Sequence, residues 1–197
     1  LLEERGKYIG KSKLLLKPIT TAEVSEILRI CYKNKISVVP QGGRTGLSGG
    51  TIPNPEKDEI IISMEKMNKI ISIDKKSFNM VTQSGCTLED IKKAAKINGL
   101  YFPLALPSKD SCTIGGNIST NAGGSSVLKY GMTRDLVLGL EIVLPDGKIL
   151  NGLREIKKDN RGFDLKNIFI GSEGTLGIIT AAVLKVFPVP KKNLLLF

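Results

Sequence analysis

Pro40-Gln41-Gly42-Gly43-Arg44-Thr45-Gly46-Leu47-Ser48-Gly49-Gly50 follows at once on Ile36-Ser37-Val38-Val39-Pro40, an apolar run with the length and β-branched content of a buried strand. Glycine lets a backbone adopt positive φ and gathers successive N–H groups onto one oxyanion, the arrangement called a nest. Each amide bonded to a charged oxygen contributes about 1.5–3 kcal/mol, so several together suit a pyrophosphate. The spacing is neither G-x-G-x-x-G nor G-x-x-x-x-G-K-[ST], which excludes two common phosphate-binding motifs. A glycine run alone is equally the composition of a mobile surface loop. The buried strand before it, and Arg44 and Thr45 within it, weigh toward binding.

Outward from this loop the chain reads as alternating strands and helices. Leu14-Leu15-Leu16 is a short strand stopped by Pro18, and Thr20 with Glu23 forms a capping box for a helix whose Val24, Ile27, Leu28 and Cys31 share one face. Residues 59–63 and 69–74 are strand candidates, and 79–84 alternates as a half-buried strand does. Thr87 caps a second helix, with Leu88, Ile91 and Ala95 on one face and Gly99 past its end. Residues 136–144 and 148–151 form a hairpin about Pro145-Asp146-Gly147, and 176–186 is a final apolar strand. This order predicts an α+β fold of two α/β lobes without a flexible linker, lobe one over 1–73 and lobe two over 74–197.

Two further stretches carry binding chemistry. Residues 102–130 read as one long loop, which inside a compact domain usually serves binding. Within it, Pro107, Ser111, Thr113, Ile114, Gly115, Gly116, Ser119, Asn121, Ala122, Gly123 and Gly124 give a density of small and hydroxylated residues that lets a large flat ligand lie against main chain. A Ser/Gly linker is the plain alternative, but Ile114 and Ile118 bracket the glycine pair. In Ile170-Gly171-Ser172-Glu173-Gly174-Thr175-Leu176-Gly177-Ile178-Ile179, glycines interrupt the start of an apolar strand. They mark either close approach of another backbone or a simple bulge.

Composition narrows the chemistry. The 197 residues are 41% hydrophobic and 24% charged, enough to bury one core. Leu1 in place of Met and the apolar Leu194-Leu195-Leu196-Phe197 suggest that both ends are cut. No run approaches the roughly 20 apolar residues of a membrane span, and no signal peptide is visible, so a cytoplasmic location is expected, with a peripheral site on the inner face of the membrane as its variant. Cys31, Cys86 and Cys112 stand far apart outside any C-x-x-C spacing and read as reduced core thiols. Histidine is absent, which removes imidazole bases and His-ligated metals from this segment. The net charge of +10 comes from scattered lysines without a reading motif, so a solvated surface is favoured over a nucleic-acid site. Lys109, Asp110 and Arg161 are taken as solvent-facing.

Together the three glycine segments resemble the FAD-binding (PCMH-type) domain of the vanillyl-alcohol oxidase superfamily, in its glycolate oxidase and D-lactate dehydrogenase branch. The likeness extends through Glu4-Arg5-Gly6-Lys7-Tyr8, Lys17-Pro18-Ile19-Thr20-Thr21-Ala22-Glu23-Val24 and Lys129-Tyr130-Gly131-Met132-Thr133-Arg134-Asp135. The resemblance implies a two-lobed fold with FAD between the lobes. It implies that Gln41, Gly42, Gly43, Arg44, Thr45, Gly46 and Leu47 hold the pyrophosphate, that 107–116 and 119–124 follow the ribityl chain and isoalloxazine, and that Gly174, Ile178 and Ile179 help to enclose the cofactor. Relatives with covalent flavin use a histidine in the first loop; here Arg44 stands there, so the FAD is expected to be non-covalent.

The implied reaction is oxidation of a D-2-hydroxy acid to the 2-oxo acid by hydride transfer to FAD, with a quinone, cytochrome or flavoprotein as electron acceptor. The family's cap domain, source of substrate-binding side chains, normally follows where this chain ends, so a cap-domain or subunit partner is expected, and no catalytic residue or metal ligand is assigned here. A non-catalytic flavin-binding subunit and an enolpyruvyl-glucosamine reductase-like flavoenzyme are the rival readings. Gly43→Val is expected to abolish flavin retention while sparing the fold.

Overall fold

The computed structural model describes residues 6–156 and 158–191. Leu1, Glu4, Arg5 and the apolar 194–197 run lie outside them. The first sheet has three parallel strands in the order β1 (Leu15–Leu16), β3 (Glu59–Ser63), β2 (Ser37–Gln41), with Val38 beside Ile60 and Gln41 beside Ser63. Between β1 and β2 runs helix α1 (Thr21–Lys33). Thr20 Oγ1 accepts the Glu23 amide at 3.2 Å, but the Glu23 carboxylate accepts the amide of Ile19 at 2.7 Å, one residue before the one expected. Val24, Leu28 and Cys31 are buried, as the helical spacing predicts.

The second sheet is antiparallel throughout, in the order β4 (Ile70–Asp74), β5 (Asn79–Gln83), β9 (Ile178–Lys185), β7 (Val137–Val143), β8 (Ile149–Gly152). The lobe boundary expected at residue 73 moves, because β4 pairs with β5 and the change of sheet falls between Ser63 and Ile70. β5 lies between β4 and β9, and Asn79, Met80, Val81 and Thr82 are all buried. Its alternation of residue types had suggested one solvent face, which the packing removes. β7 and β8 form the expected hairpin: Leu144 donates to Lys148 O at 2.8 Å, and Gly147 turns the chain at φ 86°.

Helix α2 (Leu88–Ile97) starts at Thr87, whose Oγ1 accepts the Asp90 amide at 3.1 Å, and Gly99 at φ 70° follows its end. β6 (Leu100–Tyr101) comes next. The stretch 102–130 is not one open loop. It contains α3 (Ile114–Ser119), started by Thr113, and a single turn α4 (Val127–Tyr130). Two glycines weaken the helical signal of α3, and what holds it is tertiary: Ile114 and Ile118 are 0% exposed in the main core with Leu88, Ile91, Phe102, Leu140 and Leu184. After a further turn, α5 (Lys166–Phe169), strand β9 begins at Ile178 instead of Leu176, and it is not the last, because β10 (Phe187–Pro188) pairs with β6. Among the described residues no helix is long and apolar enough to cross a membrane.

A second core cluster joins the two sheets: Val24 and Leu28 of α1 and Ile62 of β3 pack with Val143 of β7 and Ile178 of β9. Polar bonds reinforce the joint. Thr21 Oγ1 donates to Glu141 Oε1 at 2.7 Å, and Ser25 Oγ donates to Gly147 O at 2.5 Å. The lobes therefore share apolar surface, and α1 is the element that binds them.

All three cysteines are free and buried. Burial pushes the Cys86 thiol up to about 12. The folded state favours the neutral thiol, so this contribution to stability is complete below the unfolded value of about 8.5 and is lost as pH climbs toward the folded one. At pH 8 Cys86 is therefore expected to resist alkylation in native protein and to react fully once unfolded, as mass spectrometry would resolve. Rapid labelling of Cys86 in the folded chain would contradict its placement.

Candidate functional site

The loop after β2 is fixed at its neck. Gln41, 4% exposed, donates from Nε2 to Thr51 O at 2.6 Å, and its carbonyl accepts the Met64 amide at 2.9 Å. Two faces of the second lobe then hold the loop. On one side Gly42 and Gly43 lie against 111–113: a Cβ on Gly42 would collide with Thr113 Oγ1, and one on Gly43 with the Ser111 carbonyl, and would stand only 2.9 Å from Cys112 Cα. On the other side a Cβ on Gly174 would stand 2.6 Å from Pro40 Cγ. Positive φ within the loop belongs to Arg44 (57°) and Gly49 (81°), not to Gly42 or Gly43. Those two glycines serve close approach of the lobes, which corrects the conformational role expected of them.

Between the lobes is a cleft with a cavity of about 290 Å³. Of the residues expected to hold a cofactor, Gln41, Gly42, Gly43, Arg44, Thr45 and Gly46 line it from lobe one, and Thr113, Gly115, Gly116, Ser119, Ala122, Gly174, Ile178 and Ile179 from lobe two. The others take different places. Leu47 and Pro107 turn to solvent, while Ile114, the first residue of α3, is wholly buried in the core. The Ser111 carbonyl packs on Gly43, and Gly124 packs on the Ala105 carbonyl. Gly123 sits against Met132, where a Cβ would meet Sδ at 2.8 Å. Asn121 is structural as well: its Oδ1 accepts the Arg134 amide at 3.0 Å, and Arg134 in turn donates to Asn167 O at 2.9 Å and Ile170 O at 2.7 Å. That brace ties Asn167 and Ile170 to Asn121, while the amides of Gly171 and Glu173 donate to the carbonyls of Ile118 and Ser119 and so tie the strand-entering turn to α3.

The cleft also takes residues that sequence reading passed over. Ser48, Gly50, Leu106 and Ser108 flank or fall within the quoted segments, so proximity alone could have found them. Met64 and Ser84 come from the ends of β3 and β5 and carry no motif; only the topology brings them in. Cys112, Asn117, Thr120 and Glu173 complete the wall with Pro40 and Thr51. In the third glycine segment close approach wins over a simple bulge: beyond Gly174 against Pro40, a Cβ on Gly177 would stand 2.7 Å from Val143 O.

Main chain supplies most of the electrostatics. Among the described residues no N–H from Gly42 to Gly50 donates to a protein acceptor, because this loop lies outside every ladder and helix. Unpaired amides on a small-residue wall are donors available to an anion. Arg44 and Glu173 are the charged side chains on the lining, both at positive φ (57° and 52°), a conformation that non-glycine residues hold only when the surroundings impose it. Their charges offset each other, which leaves the amides to set the preference. By contrast Lys109, expected to face solvent, pairs with Glu89 at 2.6 Å, and that ammonium holds the Glu89 carboxyl below its usual range. Asp110 is exposed, and exposed Arg161 pairs with Asp159 at 2.9 Å.

Comparison with known proteins agrees with this geometry. The family described as FAD binding domain matches residues 12–152. The chain is 52% identical over 182 residues to D-2-hydroxyglutarate dehydrogenase of Rattus norvegicus, covering 92% of this chain and 34% of that protein. It is 43% identical over 185 residues to the D-2-hydroxyglutarate–pyruvate transhydrogenase of Saccharomyces cerevisiae, covering 94% of this chain and 37% of that one. A solved alkyldihydroxyacetonephosphate synthase superposes with a TM-score of 0.84 at 30% identity, over 95% of this chain and 34% of its own. The chain thus spans about a third of the length of these relatives. The rat and bovine dehydrogenases are named as mitochondrial, which overturns the cytoplasmic location expected from the sequence. With the matched span running from before β1 to the end of β8, and with a cleft of bare amides between two lobes, the chain belongs to the FAD-binding domain family.

Proposed function

We propose that this chain is the FAD-binding portion of a dehydrogenase that oxidises a D-2-hydroxy acid to the corresponding 2-oxo acid. The observation that carries the reading is the combination of the inter-lobe cleft with 52% identity, over 92% of the chain, to a protein named as a D-2-hydroxyglutarate dehydrogenase. D-2-Hydroxyglutarate is accordingly the first substrate to test. D-Lactate is the second, on the strength of the name of a Schizosaccharomyces pombe relative that is 49% identical over 175 residues.

The residues present fit the cofactor. Among the described residues the amides of 42–50 have no protein acceptor, and a Cβ on Gly46 would meet nothing within 4 Å, so a cradle is left that side-chain atoms would fill. When bound, FAD supplies the hydride acceptor, the chemistry that no side chain of this chain could perform. The loop 42–46 holds the pyrophosphate through N–H donors, while Gly115, Gly116 and Ala122 keep the wall low enough for a flat ring. Ile178 and Ile179, each 5% exposed, give the cleft an apolar floor that excludes water. Groups that recognise the substrate carboxylates and move the hydroxyl proton come from outside this chain, in a cap domain or a partner subunit. Electrons leave to a quinone, a cytochrome or another flavoprotein.

The test is anaerobic addition of D-2-hydroxyglutarate, D-lactate and their L-enantiomers to the FAD-loaded protein that carries this chain. Bleaching of the flavin by a D-acid and not by its mirror image supports the reading. A flavin that no D-2-hydroxy acid bleaches, but that NADPH reduces, would overturn it in favour of an enolpyruvyl-glucosamine reductase-like enzyme.

A further inference from the structure

Three buried side-chain atoms among the described residues have no hydrogen-bond partner: Asn79 Oδ1, Thr82 Oγ1 and Ser84 Oγ. Buried polar atoms nearly always find a partner, and each exception calls for a physical reason. Asn79 and Thr82 belong to β5, inside the second sheet, and neither lines the cleft. Ser84 directly follows β5, is 0% exposed, and does line the cleft.

The backbone of Ser84 is held from both sides. Its amide donates to Thr180 O at 2.9 Å, and its carbonyl accepts the Gly115 amide at 2.8 Å. A Cβ on Gly115 would lie 2.7 Å from Ser84 Cβ, so the glycine is what allows α3 to seat against this serine. On the next residue, a Cβ at Gly85 would run into the Met64 carbonyl and stand 2.8 Å from that of Met67, which fixes the other side. Two glycines and two main-chain bonds thus place one hydroxyl at the junction of β5, α3 and the lobe-one strand end. That hydroxyl is left with free donor and acceptor capacity.

We propose that Ser84 is a cofactor-positioning residue, its hydroxyl left unpaired by the protein so as to bond a polar atom of the bound flavin dinucleotide. This rests on the FAD reading of the cleft. The hydroxyl is a liability in the empty protein and a contact in the loaded one, so its removal should move stability and affinity in opposite directions.

The experiment compares the wild-type chain with Ser84→Ala and Thr82→Val, by thermal melting without flavin and by fluorescence titration with FAD. Ser84→Ala keeps Cβ and removes the unpaired atom, so the flavin-free melting temperature should rise by roughly 2–4 °C, while FAD affinity falls roughly three- to tenfold. Thr82→Val removes the other unpaired hydroxyl away from the cleft, and should raise melting without changing affinity. Unchanged FAD affinity in Ser84→Ala would overturn the proposal, as would a fall in its flavin-free melting temperature, since the hydroxyl would then be paired by water. Failure of the wild-type chain to bind FAD at all would instead overturn the reading of the cleft, and the proposal with it.

Discussion

Gly43→Val should lose both the cofactor and much of the fold's stability. An added Cβ collides with the Ser111 carbonyl and stands 2.9 Å from Cys112 Cα, both main-chain positions that cannot swing aside as a flexible side chain can. Overpacking of this kind against backbone costs about 3 kcal/mol or more, and relief means separating the first loop from 111–113, which opens the cleft. This replaces the expectation from sequence that the fold would be spared. Gly46→Val is the informative contrast, because a Cβ there opens onto free space, with nothing within 4 Å beyond its chain neighbours. It should leave stability within about 0.5 kcal/mol of wild type and weaken FAD binding about tenfold or more, as the loss of one charged amide contact of about 1.5–3 kcal/mol implies. Urea denaturation and FAD titration on the two variants check the pair. Wild-type stability in Gly43→Val would show that the two lobes do not meet there.

Ile118→Ala should have the second largest effect. Ile118 is 0% exposed and, with Ile114, anchors α3 in the main core. Removing its branched end costs about 2–5 kcal/mol, depending on how far the core closes over the gap. The consequence reaches the cleft, because α3 carries Gly115, Gly116, Asn117 and Ser119 on its wall, and the Ile118 carbonyl accepts the Gly171 amide at 3.1 Å. FAD affinity should therefore fall although the side chain itself lies beneath the site. Denaturation midpoints with and without FAD separate the two effects, and an affinity equal to wild type would mean that α3 holds its position without its core anchor.

The sequence announced what local patterning can announce. Helical spacing at Val24, Leu28 and Cys31, the caps at Thr20 and Thr87, and the Pro145-Asp146-Gly147 turn all appear where their chemistry puts them. What it hid depends on neighbours distant along the chain. β5 reads as half-buried until β4 and β9 flank it, and α3 reads as loop until Ile114 and Ile118 find the core. The site follows the same division. The glycine segments could be read, since bare main chain near an anion requires small residues. The division of labour among them could not: Gly42 and Gly43 serve the seam, Asn121 braces Arg134, and Ser84 enters only because a strand end and a helix start converge.

On the proposed reading, the amides of 42–50, which have no acceptor among the described residues, hold a dinucleotide's pyrophosphate between the two lobes. Amide-resolved NMR during titration of the chain with FAD tests it most directly. The largest shifts are expected on Gly42 to Gly50 and on the facing 113–122 and 173–179 segments, with Arg154, Ile156, Asp159 and 161–166, which line a separate cavity beside β7 and β8, unmoved. Shifts confined to Arg154, Ile156, Asp159 and 161–166, or a loop whose amides do not respond to saturating FAD, would contradict it.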